Sequence, residues 1–359
     1  MPNPWWPMCI FGWPVAFSDR FAEGEMIDEI TGAGHIDGHP LRQAVLEQGG
    51  VRVTILSLGC ITRDWRVGGR SVVLGFADPL RYLENPFSFG VIAGRVANRT
   101  AHGRFRLDGR TVQLSRNHGA HHLHGGVRGL GRRNWLMEAD GPHGLRLSRR
   151  SPAGEEGYPG AVDFSVTIRL EGHRLHYDMR GQPDCRTPVN LAQHSYYNLA
   201  GGGSVRDHEL RIAASRFTPT DDAQIPTGEI RAVAGTRHDF TAPRTLAQAD
   251  PAARGHDVNL VLDPDRDRDA PAAILRAPDR ALVLRLWTDQ PGIQLYDAMH
   301  MGACGGGHDG KCHDRFHGLC LEPQHFPDAL NRRGFPPILC TPEAPYRQRL
   351  TVEIAPEFS

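Results

Sequence analysis

In the stretch HGLCLEPQHFPDALN, residues 317–331, Glu322 closes the short apolar run Leu319, Cys320, Leu321 and is followed at once by Pro323. A buried strand would want another apolar side chain at that position. Proline lacks the N–H for a regular ladder bond, so Pro323 is expected to mark the strand exit and to stiffen the chain beside the carboxyl. The segment NLAQHSYYNL, residues 190–199, is a second polar stretch in an apolar frame. There Gln193, His194, Ser195, Tyr196, Tyr197 and Asn198 stand between Leu191 and Leu199. So many donors and acceptors in an apolar frame must satisfy one another or a polar ligand. A serine nucleophile is poorly supported. His194 and Ser195 are neighbours that face opposite ways on an extended chain, and no Gly-x-Ser-x-Gly elbow surrounds the serine.

Four further stretches are polar yet flanked by strand patterns. FGVIAGRVANRTAHGRF, residues 89–105, carries Arg95, Asn98 and Arg99 among small residues. Pattern alone favours a glycine-bounded loop with an arginine tying the backbone together, and the Gly-Lys-Ser/Thr ending of a phosphate loop is absent. NHGAHHLHGG, residues 117–126, holds His118, His121, His122 and His124. The helical His-Glu-x-x-His pattern is missing, so two readings stay open: an exposed His-rich loop, or His124 aimed into a cleft as a donor or acid. In GHDVNLVLD, residues 255–263, Asp257 precedes a β-branched run and by itself reads as a turn or cap. Gln294 lies in QPGIQLYD. A fifth region, residues 304–320, offers Cys304, His308, Cys312, His313, His317 and Cys320 as zinc ligands. Its spacing matches no standard half-site pair, and its glycines suggest a flexible surface loop.

The frame for these residues reads as β throughout. Val51, Val53 and Ile55 share one face by alternation, as do Val162, Phe164, Val166, Ile168 and Leu170. Asp108-Gly109 between alternating runs predicts a hairpin. A second is expected around Glu171-Gly172, with Leu175, Tyr177 and Met179 returning. Further strands are expected at 210–214, 282–287, 292–296 and 349–354, and helices are few. The 41 glycines and 27 prolines fall mainly between these runs. The fold class is therefore all-β, a large antiparallel β-sandwich in one domain over residues 37–359, with long functional loops. Residues 1–36 read as an extension that is poorly ordered or reflects a mis-set start, with Met26 as the true one. A secretory signal is the weaker reading, because a basic n-region is missing and prolines interrupt the apolar stretch.

Composition narrows the partners. With 41 basic and 41 acidic residues the formal net charge is zero, which leaves no footprint for nucleic acid or an anionic membrane. No apolar run approaches the roughly 18 residues of a membrane span. The seven cysteines lack framework spacing, so a reducing, cytoplasmic setting is expected.

Taken together, the motifs resemble aldose 1-epimerase, the galactose mutarotase family. Gly94, Arg95, Val96, Asn98 and Arg99 match its Gly-Arg-Val-x-Asn-Arg loop, and residues 123–126 its Leu-His-Gly-Gly. Residues 190–199, 256–259, 290–294 and 320–329 match four more family motifs in order. The resemblance implies a galactose mutarotase-like supersandwich that interconverts the α and β anomers of free aldoses such as galactose or glucose. It implies no cofactor and no metal. It makes Glu322 the general base and His194 the general acid. It assigns Asn98, Arg99, His124, Asp257 and Gln294 to the sugar hydroxyls, and sets Ser195 and Tyr196 along the same wall. The expected partner is a small monosaccharide bound by a monomer or homodimer.

Thr100, Gln193, Leu295 and the His- and Cys-rich 300–317 loop depart from the usual pattern, which bears on sugar preference rather than on chemistry. Three alternatives are an epimerase specialised for a less common aldose, a non-catalytic sugar-binding sandwich, and a glycosidase using Glu322 with Asp257. The last needs two carboxyls about 5–5.5 or 6.5–9.5 Å apart and gives His194 no task.

Overall fold

The computed structural model describes residues 27–357. The proposed start at Met26 and the remainder of residues 1–26 lie outside it. Ile27–Glu29 pairs with Arg42–Ala44, so the first sheet, of five strands, begins upstream of residue 37.

Antiparallel pairing follows from the alternation. The largest sheet has nine strands, and its middle is the hairpin Val162–Glu171/Arg174–Pro183 joined to the last strand, Tyr346–Pro356. Glu171 pairs with Arg174, so the loop is Gly172-His173, one residue beyond the expected turn. The Asp108-Gly109 hairpin forms as expected, with both residues at positive φ, 49° and 80°. The strands expected near 210, 282, 292 and 349 are present as Glu209–Ile212, Leu282–Thr288, Gly292–Tyr296 and Tyr346–Pro356. Among the described residues the α-helix is the single turn Leu246–Ala249, closed by a capping box between Thr245 and Gln248. No helix among them is long and apolar enough to cross a membrane.

One apolar core joins the sheets. Val166, Leu175 and Leu284 of the nine-stranded sheet meet Val53 and Trp65 of the five-stranded sheet and Leu260, Ile293 and Leu321 of a six-stranded sheet. Each such side chain stabilises the fold by about 1.5–3 kcal/mol on burial. The six-stranded sheet runs in the order Tyr196–Tyr197, Leu319–Gln324, Gly292–Tyr296, Asp257–Val261, Arg216–Thr218, Arg231–Ala232. One of its faces is committed to the core. The other face is free to carry polar side chains, and the candidate chemistry sits there.

Candidate active site

Register places the floor of the site. Gln294 lies opposite Glu322 on one side and Asn259 on the other, and Tyr296 lies opposite Asp257 and Cys320. Side chains alternate along a strand. Val258, Leu260, Ile293, Leu295, Leu319 and Leu321 enter the core. Asp257, Gln294, Tyr296, Cys320 and Glu322 therefore emerge together on the opposite face. A one-residue slip would drive both carboxyls into the core, so the apolar pattern itself enforces the register. Pro323 does not end its strand, because Gln324 still pairs with Gly292. The Pro323 carbonyl accepts a 2.8 Å bond from the Gln348 amide.

The facing wall comes from loops. The His194 N–H donates to the Val91 carbonyl at 2.9 Å, and its carbonyl accepts from Gly90 N–H at 3.0 Å. The imidazole is thereby held with Nε2 3.7 Å from Glu322 Oε2 and Nδ1 3.6 Å from Cys320 Sγ. Asn98 adopts a left-handed φ of 61° and donates its N–H to His124 Nδ1 at 3.2 Å. His124 is thus an acceptor at Nδ1, so its neutral ring carries the proton on Nε2. The Leu-His-Gly-Gly turn docks where only glycine fits: a Cβ on Gly125 would lie 1.7 Å from the Gly94 carbonyl oxygen. Arg99 pairs loosely with Asp257, Nη1 to Oδ2 at 3.6 Å, while Asp257 Oδ1 accepts from Gln294 Nε2 at 2.6 Å. These elements enclose a cleft of about 560 Å³.

Asn98, Arg99, His124, His194, Tyr196, Asp257, Gln294 and Glu322 all line that cleft. Ser195 does not. Its N–H donates to Gln193 Oε1 at 3.1 Å and its hydroxyl accepts from Gln193 Nε2 at 2.5 Å. With His194 and Tyr196 turned to the cleft, the residue between them must face away. The Tyr196 hydroxyl donates to the Phe87 carbonyl at 2.9 Å, so this side chain serves as an aromatic wall. Arg95 fulfils the structural reading of its loop: it is buried and donates to the carbonyls of Ser151 and Gly160 at 3.2 and 2.9 Å. Sequence reasoning gave no site role to Tyr296, His118, His300 and Gln224, which also line the cleft. Tyr296 was signalled by its place two residues beyond Gln294; Gln224 sits in a loop that carries no such signal.

The six Cys and His residues of the 304–320 region do not gather. His308 and His313 donate from Nε2 to the carbonyls of Arg63 and Gly75 at 2.9 and 3.0 Å. Among the described residues, the set of three His, Cys or carboxylate ligand atoms lying within 4.8 Å of one another is that of His194, Cys320 and Glu322, inside the cleft.

Burial governs the electrostatics. It pushes the Glu322 carboxyl well above the carboxylate range, Asp257 adds to the rise, and Arg99 opposes it. Burial also lowers His194, to about 4. Attraction between a carboxylate and an imidazolium would keep such a pair charged. Desolvation of both groups outweighs that attraction, and the neutral arrangement, with the proton on Glu322, is favoured. The neutral and charged arrangements hold the same single proton and differ only in where it sits. Glu322 Oε2, Arg99 Nε and Gln294 Oε1 are buried without hydrogen-bond partners. Orphan polar atoms of both signs around one cleft fit a polyhydroxylated ligand, since each hydroxyl both donates and accepts.

Comparison with known proteins gives the same direction. The galactose mutarotase of Sus scrofa is 40% identical over 325 residues, covering 88% of this chain and 93% of that protein. The aldose 1-epimerase of Escherichia coli (strain K12) is 32% identical, covering 84% of this chain and 90% of that one. The crystal structure of an aldose epimerase homologue from C. elegans superposes with a TM-score of 0.82 at 27% identity, covering 88% of this chain and 99% of its own. The family model for aldose 1-epimerase matches residues 42–353, a span that contains every residue of the cleft described above, and the chain belongs to that family.

Proposed function

We propose that this chain is a mutarotase that interconverts the α and β anomers of a free aldose such as galactose or glucose. The observation that carries the reading is the Glu322–His194 pair, 3.7 Å apart at one end of a cleft ringed by unpaired donors and acceptors. The hydroxyls of a bound sugar donate hydrogen bonds to a carboxylate, so binding favours moving the proton from Glu322 to His194. Glu322 then takes the proton from O1 while His194 gives its proton to the ring oxygen O5. The C1–O5 bond breaks, leaving an aldehyde at C1 and a hydroxyl on C5. Rotation about C1–C2 presents the other carbonyl face. His194 takes back the C5 hydroxyl proton as O5 attacks C1, and Glu322 returns its proton to O1. The sum is isomerisation with no net proton gained or lost.

Asn98, Arg99, His124, Asp257 and Gln294 hold the hydroxyls. The neutral His124 ring donates from Nε2 to oxygen as charge develops there, and Arg99 donates to a hydroxyl of the ring. Fixing the pose keeps the proton-transfer distances short through ring opening. On the same reading the partner is a free monosaccharide, neither nucleic acid nor membrane is involved, and the protein works in the cytoplasm as a monomer or homodimer. The test is polarimetry or exchange NMR on fresh α-anomers across a panel of aldoses. Acceleration of at least one aldose is expected, and none across the panel rejects the reading.

A further inference from the structure

Gln224 is the one cleft residue that touches both members of the Arg99–Asp257 pair. Its side-chain oxygen accepts from Arg99 Nη2, and its nitrogen donates to Asp257 Oδ2 at 2.9 Å. The orientation of this amide is forced, since a guanidinium only donates and an ionised carboxylate only accepts. The backbone beneath it is built to present it. Gln224 adopts a left-handed φ of 59°, and its N–H donates to the Asp221 carbonyl at 2.9 Å. The Asp221 carboxylate accepts from the N–H groups of Ala223 and Ile225 at 2.9 and 3.0 Å, and Ile225 is buried as the anchor. A loop is thus pinned at both ends with one amide aimed across the cleft.

Arg99 and Asp257 stand 3.6 Å apart, beyond hydrogen-bond distance, although both are largely buried. An unobstructed pair would close by about 0.8 Å into a charge-assisted contact. Closure would spend the same atoms that have to meet the sugar. Resting on the mutarotase reading, we infer that Gln224 is a positioning residue for substrate: it bridges Arg99 and Asp257, keeps them apart, and so presents a guanidinium and a carboxylate to hydroxyls on the sugar ring away from C1. The Glu322–His194 pair is not touched by Gln224, so the effect belongs to binding and to the choice of aldose rather than to proton transfer.

The experiment measures kcat and KM separately for Gln224→Leu and Gln224→Ala by exchange NMR. The substrates are galactose, glucose and their deoxy analogues at C2, C3, C4 and C6. Gln224 is half-buried on a loop, and thermal melts confirm that both variants fold. The expected result is a rise in KM of about ten- to a hundredfold for parent sugars, the loss of one charge-assisted hydrogen bond, with kcat within about twofold. The rise should vanish for the deoxy analogue that lacks the contacted hydroxyl. An unchanged KM, or an equal loss in kcat on every sugar, overturns the inference while leaving the mutarotase reading intact. No acceleration of any aldose by the wild-type protein overturns both.

Discussion

Replacing Glu322 by glutamine tests the chemistry and the electrostatics of the site together. The amide keeps the size of the side chain, so the cleft and the side chains that line it stay in place. What is lost is a group able to accept the O1 proton. Positioned proton transfer is worth about 10²–10⁴-fold, so kcat should fall by that factor, equivalent to about 3–5 kcal/mol of barrier, with KM little changed. The same substitution alters stability in a pH-dependent way. Glu322 has a folded-state pKa raised by burial above its unfolded value of about 4.3. Its contribution to stability is complete below the unfolded value and is lost as pH rises toward the folded one. Within that window the loss is at most about 1.4 kcal/mol per pH unit. Glutamine does not titrate, so Glu322→Gln should gain stability relative to wild type as pH rises from 5 to 8. Guanidinium melts of the two proteins over that range measure the difference, and polarimetry measures the rate. A stability difference that stays flat with pH shows that Glu322 is not the desolvated acid described here. Full epimerase activity in the variant removes it as the base.

Other outcomes can be stated more briefly. The profile of kcat/KM against pH should be level across neutral pH, because the pair keeps one proton there. It should fall on the acid side near the His194 value of about 4, where a second proton leaves no base, and on the alkaline side only above the ordinary carboxylate range, where Glu322 loses the last proton. A decline centred near an ordinary imidazole value of about 6.5 contradicts the burial argument. Arg95→Met should destabilise the protein by about 2–4 kcal/mol by orphaning the buried carbonyls of Ser151 and Gly160. Below its melting temperature that variant should keep the wild-type KM, and a large rise would move Arg95 into the sugar site. Prolonged dialysis against a chelator should leave the rate unchanged, since the proposed steps use only side chains; a loss restored by a divalent metal would reassign the mechanism.

Much of the fold was legible in the alternation of apolar residues. Val162 through Leu170 and Leu175 through Met179 announce the buried face of a sheet, and Asp108-Gly109 announces the turn of a separate hairpin, because period-2 burial and positive φ are local requirements. Motif order also marked Glu322, His194 and most of the polar side chains that line the cleft. Ser195 was misjudged because membership in a motif says nothing of which way a side chain turns; the parity of an extended chain, with His194 and Tyr196 facing the cleft, decides that.

Local sequence determined which residues share a strand face and where the chain turns. It could not determine which strands lie side by side. That Asp257, Gln294 and Glu322 form one floor depends on three strands, far apart in the chain, pairing in a register that only a common apolar core enforces. The approach of His194 to Glu322 and the bridge made by Gln224 are likewise properties of the packed molecule. So is the displacement of both proton-transfer groups from their ordinary pKa values, since desolvation acts only once the surrounding sheets have closed.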